Sequence, residues 1–329
     1  MRRPKMLVLM VTLLFTMSFL AGCGSSKAPE EAGSKYPEKP VNMIIAFTAG
    51  GSSDVQARLM QKYWNKYVPS QPWTFIYKSG AGGAIGFNDI AKADKDGYTI
   101  GGVNVPHIVL QPIGQGAQYK PEDFDYIAQV VTDPQVLVVK KDSQFTSVQD
   151  VVEYAKANPD KLKVGITGTY TGNHMALLDF QDQAGGIKVA QIVYKGAADL
   201  NAALLGGELD VMMGNYNDVM RSLDMMTILG IATEERYAPL PDVPTMKEQG
   251  VNVVADIRRG FVAPKGIPED SLKFLRDTFE KIANDPDYVA DMEKAGQPHD
   301  YLSGDEFEKY VMEQQSHAQD LLTKFGLMK

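Results

Sequence analysis

The residues whose spacing could do chemistry here are glycines and hydroxyls more than acids and bases. In AFTAGGSSD, Gly50 and Gly51 separate an apolar run from a helical pattern, and Ser52, Ser53 and Asp54 follow. KSGAGGAIG supplies Gly80, Ala81, Gly82 and Gly83 at a second such junction. GITGTYTGNHM supplies Thr167, Gly168, Thr169 and Thr171, and YKGAAD supplies Tyr194, Lys195 and Gly196. The first amides of a helix have no acceptor within it, and the helix dipole leaves that end partly positive. A strand-to-helix turn without side chains therefore lets an anion meet the main chain. The same turn reads equally as a tight connection in which Ser52, Ser53 or Asp54 only caps the helix. The threonine hydroxyls add donors that suit an oxyanion without demanding one, and Lys195 is either a counter-charge or a solvated surface group.

Other chemistries find little support. A dinucleotide fingerprint counted from Gly80 meets Ile85 where a third glycine is needed, and Gly82-Gly83 is followed by Ala84 where a phosphate loop needs lysine. The four histidines, His107, His174, His299 and His317, form no metal-binding helix motif, and no Gly-x-Ser-x-Gly elbow occurs. No cofactor, metal or catalytic residue is expected. His174 at a helix start reads as a ligand contact or as a neighbour of the cap; Asp54 and Asp210 are isolated acids, more often caps than bases.

The elements that hold these loops alternate. VNMIIAF, WTFIY and GYTIGGV read as strands, with helices at VQARLMQKYWNKYV, where Val55, Leu59, Tyr63 and Tyr67 share a face, and at FNDIAKAD. A second round has strands QVLVVKK, KVGIT, VAQIVYK and ELDVMMG, with helices between them, the first capped by Ser147. ILGIAT is a further strand, PLPDVPTMKEQG leads into a short helix, and the chain ends in helices. Such alternation predicts an α/β fold of mostly parallel sheets flanked by helices, with ligands at the carboxyl edge.

The 329 residues exceed the size at which a single core stops growing, so two lobes with a cleft are expected, joined by crossings near QVLVVKK and RRGFVAP. Arg2, Arg3 and Lys5 precede the apolar stretch Met6 to Leu20, and LAGC ends at Cys23, the sole cysteine. This is the order of a lipoprotein signal (1–22), with Cys23 as lipidation site and 23–35 as tether; an ordinary signal peptide is the alternative. Without those three basic residues, 30 of the 33 remain against 41 acidic ones, a net charge near −11, which argues against nucleic acid.

Five ordered stretches, YPEKPVNMIIAFTAGGSSDVQARLM, GAGGAIGFNDIAKADKDGYTI, YKGAADLNAALLGGELDV, PDVPTMKEQG and FVAPKGIP, resemble the solute receptors of tripartite tricarboxylate transporters, the Bug or TctC-like family. The resemblance implies a non-enzymatic, two-lobed periplasmic-binding fold of type II, with lobe 1 at 36–137 and 257–329 and lobe 2 at 138–256. It implies a small di- or tricarboxylate ligand held by Gly50, Gly51, Ser52, Ser53, Asp54, Gly80, Ala81, Gly82, Gly83, Thr167, Gly168, Thr169, Thr171, Tyr194 and Gly196. It further implies that the ligand is handed to membrane transporter subunits; a monomer is expected, lipid-anchored to the cell envelope through Cys23. A ligand-sensing partner of a signalling receptor and a secreted hydrolase are the alternatives. Two departures stand out: Phe47-Thr48-Ala49 where a proline is common, and Arg258-Arg259 where an aromatic residue is common. Either arginine is a candidate for a second carboxylate or for acids of the lobe surface.

Overall fold

Strand β1 (Val41–Ile45) runs through the first glycine loop into α1 (Ser52–Tyr67), then β2 (Trp73–Tyr77), the second glycine loop, α2 (Ala84–Ala91), β3 (Thr99–Val105) and α3 (His107–Gln115). The long β4 (Phe124–Lys140) is followed by α4 (Val148–Ala157), β5 (Lys163–Thr167), α5 (Gly172–Gln183), β6 (Ala190–Tyr194), α6 (Ala197–Leu205), β7 (Val211–Asn215), α7 (Tyr216–Val219) and β8 (Met226–Ile231). Strand β9 (Asp256–Pro264) leads to α8 (Glu269–Ala283), α9 (Pro286–Lys294), β10 (His299–Ser303) and α10 (Gly304–Lys324). The computed structural model describes residues 36–328; the signal segment, Cys23 and the tether lie outside them.

The strands form one path, β2-β1-β3-β9-β4-β7-β5-β6, with β8 and β10 also paired to β4. Pairing is parallel across β2-β1-β3 and β7-β5-β6, as the alternating pattern predicts. It is antiparallel wherever β4 and β9 take part. The 17-residue β4 changes partners midway: Phe124 to Pro134 pair with β9, and Gln135 to Val138 pair with β7. The path is thus two half-sheets sharing one strand, and β9 returns beside the change of partner.

Each half-sheet has its own apolar cover. One packs Trp64, Trp73, Phe261 and Phe279, and the other Val152, Leu162, Ile166 and Phe180. The buried face of α1 is rotated from the one its spacing predicts: Ala57, Met60, Tyr63 and Trp64 are buried, while Val55, Leu59 and Tyr67 are only partly covered. Trp64 offers more apolar area than Leu59 and turns inward against Trp73, ring centroids 5.4 Å apart. The Tyr67 hydroxyl instead donates to Asp285 at 2.7 Å. Ser147 caps α4 as expected, accepting from the Asp150 amide. The segment after PLPDVPT forms turns in place of the expected helix, and α3 and β10 are elements that the sequence pattern does not announce.

Candidate functional site

Gly51 is the N-cap of α1, in an extended conformation (φ −77°, ψ 176°) with no side-chain cap. The Asp54 carboxylate, which could have served as a cap or a base, turns back into its own loop. It accepts from the Gly50 amide (2.8 Å), Arg58 Nε (3.1 Å) and the Tyr77 hydroxyl (2.7 Å). Its task is to stiffen the turn. Among the described residues the amides of Ser52 and Ser53 find no acceptor in the protein, which leaves two donors at the positive end of α1.

These donors open on a cavity between the half-sheets. Phe47, Gly51, Ser52, Ser53, Asn104 and His107 line one side and Thr167, Ala197, Asn215 and Asp218 the other, with Ile257 and Arg259 on the crossing strand β9. The starts of α1, α3 and α6 therefore meet at one hollow, and Ala197, first residue of α6, brings another amide that finds no acceptor among the described residues. Such convergence of helix starts favours a bound anion.

The cavity's charges come from a buried cluster. Arg259 Nη1 donates to Asp133 at 2.7 Å, and both side chains are almost wholly buried. Asp133 also accepts from the Asn217 amide (3.2 Å), while Asp218 accepts from Asn215 Nδ2 (2.8 Å). Burial pushes the Asp133 carboxyl up to about 7 against the downward pull of Arg259, and pushes the Asp218 carboxyl up in the same way. The His107 imidazole is pushed down to about 3, first by burial and then by Arg259 nearby, so it stands neutral in the cavity wall. Arg258 has another task, lying over the Tyr310 ring with 4.1 Å to its centroid.

Of the other expected site residues, Thr167 lines the cavity, donating its hydroxyl to Asn173 Oδ1. Gly80, Ala81, Gly82 and Gly83 do not line it. Gly82, at φ +64°, lies so close to Thr169 that an added Cβ would sit 2.8 Å from the Thr169 carbonyl oxygen. Gln111 Nε2 clasps this junction, donating to the carbonyls of Gly82 (3.2 Å), Thr169 (3.2 Å) and Tyr170 (2.9 Å). The second loop, Gly168 and Thr169 thus make the contact between the two sides of the cleft. Thr171 caps α5, accepting from the His174 amide. Gly196 packs against Thr48, Gly50 sits behind Gly51, Tyr194 faces Glu208, and Lys195 is exposed. Asp210 accepts from the Lys163 amide, a purely structural task. Asn104, Asn215, Asp218 and Arg259 are cavity residues that loop reasoning alone does not reach; only the Arg258-Arg259 pair left a trace, as a departure from the family's pattern.

His174 is structural: its Nδ1 accepts from the Tyr170 amide at 3.2 Å, and burial lowers its imidazole from 6.5 to about 4. A base held neutral on folding contributes stability that is complete above pH 6.5 and drains away as pH falls toward 4. Asp133, raised by burial, acts with the opposite sign, adding stability as pH falls below 7. The His174 part is isolated by difference. The advantage of wild type over His174→Gln should shrink by about 2 kcal/mol from about pH 7 to about pH 5. Denaturant titrations at the two pH values measure it, and a constant difference would refute the assignment.

A sequence profile described as Tripartite tricarboxylate transporter family receptor matches residues 57–327. The chain belongs to that receptor family. A Cupriavidus necator relative, the UPF0065 protein in the gbd 5' region, is 30% identical over 315 residues, covering 94% of each chain. Among solved structures, the periplasmic binding protein BugD superposes with a TM-score of 0.83 at 27% identity, over 89% of this chain and 100% of its own. MatC from Rhodopseudomonas palustris with bound malate gives a TM-score of 0.80 at 22% identity, over 87% of this chain and 100% of its own, a likeness of fold. The receptor fold is therefore the two-lobed periplasmic-binding architecture, and the half-sheets on either side of the cavity correspond to it.

Proposed function

We propose that this receptor captures a small organic carboxylate outside the cytoplasm and delivers it to a tripartite tricarboxylate-type membrane transporter. The observation that carries this reading is the set of unspent amides at Ser52, Ser53 and Ala197, drawn from helix starts on both sides of one cavity. The malate bound to MatC supports the same ligand class. Micromolar affinity requires about −8 kcal/mol. Hydrogen bonds to a charged group contribute roughly 1.5–3 kcal/mol each, so a handful suffices after association entropy is subtracted.

In this reading, 36–137 with 257–329 and 138–256 are the two lobes. They bend about the place where β4 changes partners, between Pro134 and Gln135, and the neighbouring start of β9. Gln111 and the Gly82 junction close the cleft over the ligand, giving the transporter a closed shape to distinguish from the open one. Cys23 carries the lipid that holds the receptor at the membrane. Binding alone completes its task, without turnover.

The test is native mass spectrometry of freshly purified protein, followed by calorimetric titration of ligand-free protein with di- and tricarboxylates. A retained small acid and stoichiometric, product-free binding are expected. Hydrolysis of a carboxylate ester in this cleft, or indifference to every acid, would overturn the reading.

A further inference from the structure

Helix starts offer only donors, yet the cavity also presents an acceptor. Asp218 lines the cavity and is 2% exposed; its Oδ2 is satisfied by Asn215, but its Oδ1 has no donor among the described residues. Arg259, 1% exposed, lines the same cavity, and among the described residues its Nε has no acceptor, its Nη1 being spent on Asp133. A buried carboxylate oxygen without a donor loses its hydration with nothing in return, so a ligand that supplies the donor gains against one that does not. A plain dicarboxylate at neutral pH has no donor to give. An ammonium has three, and a positive charge besides.

Charge argues the same way. Arg259 faces two buried carboxylates, Asp133 and Asp218, with the exposed Arg221 a lesser attraction on Asp218, so with both ionised the buried groups carry an excess negative charge. Burial raises both carboxyls, which marks that excess as unfavourable. A second anionic group of the ligand brought here without a cation would add to it.

We propose that Asp218 and Arg259 make the cleft selective for carboxylates bearing an amino group, with the ammonium on Asp218 Oδ1 and the carboxylate at the starts of α1 and α6. This rests on the carboxylate-receptor reading and narrows it. A hydroxyl, with one donor and no charge, ranks between ammonium and hydrogen.

Ligand-free protein is titrated calorimetrically with three matched series: succinate, malate and aspartate; glutarate, 2-hydroxyglutarate and glutamate; propionate, lactate and alanine. In the series that binds most tightly, the amino acid should bind at least tenfold tighter than the unsubstituted acid, with the hydroxy acid between. Asp218→Asn should shrink that ratio to threefold or less. Should unsubstituted acids bind as well as their amino counterparts, or the ratio survive in Asp218→Asn, amino selectivity is wrong and the carboxylate reading stands. Should no acid of any series bind, both fall. The wild-type ratios decide the matter even if the variant does not fold.

Discussion

Asp133→Ala should lower the stability of the protein by about 3–5 kcal/mol, the range for removing one partner of a buried ion pair. The guanidinium of Arg259 is 1% exposed and would be left in the interior without its 2.7 Å partner. Arginine cannot escape by losing its proton at any accessible pH. The reverse change is milder. In Arg259→Met the stranded group is a carboxyl that burial already raises to about 7, so it takes a proton at little cost. The order Asp133→Ala worse than Arg259→Met is therefore expected, with the apolar double replacement Asp133→Leu, Arg259→Met recovering part of the loss. Denaturant unfolding of the three variants near neutral pH measures it; equal losses, or the opposite order, would mean that Asp218 takes over the pairing in full.

Gly51→Val should abolish ligand binding while leaving the fold in place. The Gly51 backbone, at φ −77°, suits any residue, and an added Cβ would sit 3.4 Å from the Thr48 carbonyl and 3.7 Å from the Ala197 Cβ, ordinary contacts. The branched methyl groups would instead occupy the space between the amides of α1 and α6, where the anion belongs. Losing two hydrogen bonds to a charged group removes about 3–6 kcal/mol, a weakening of a hundredfold or more. Calorimetry reads the affinity and circular dichroism the fold; a variant that keeps both fold and affinity would show that the ligand lies elsewhere. Gly83 is no substitute for this test, since its φ of +100° and its contacts with Phe47 and Phe87 strain any side chain regardless of ligand.

Glycine loops at strand ends are legible because the signal is local: an apolar run, missing side chains, then a helical period, all within ten residues or so. The same logic yields the strand and helix order and the Ser147 cap. What it does not yield is pairing across distance. Asp133 and Arg259 are 126 residues apart in sequence and meet only because β4 and β9 run side by side. Asp218 belongs to no loop motif and reaches the cavity because β7 ends there. Helix α3 escapes notice since Pro112 sits inside it and its residues His107 to Gln111 are all buried, which erases the amphipathic period. The second glycine loop was legible as a loop, but only tertiary contact shows that Gly82 spends its bareness on Thr169.

Because β4 is a single strand serving both half-sheets, neither half can lose its order without stripping hydrogen bonds from the other. Heating or denaturant should consequently produce one concerted melting event seen alike by the tryptophans Trp64 and Trp73 in one half and by the secondary structure of the whole, with no plateau between them. The two arms of the receptor would then share a fate, surviving or perishing together.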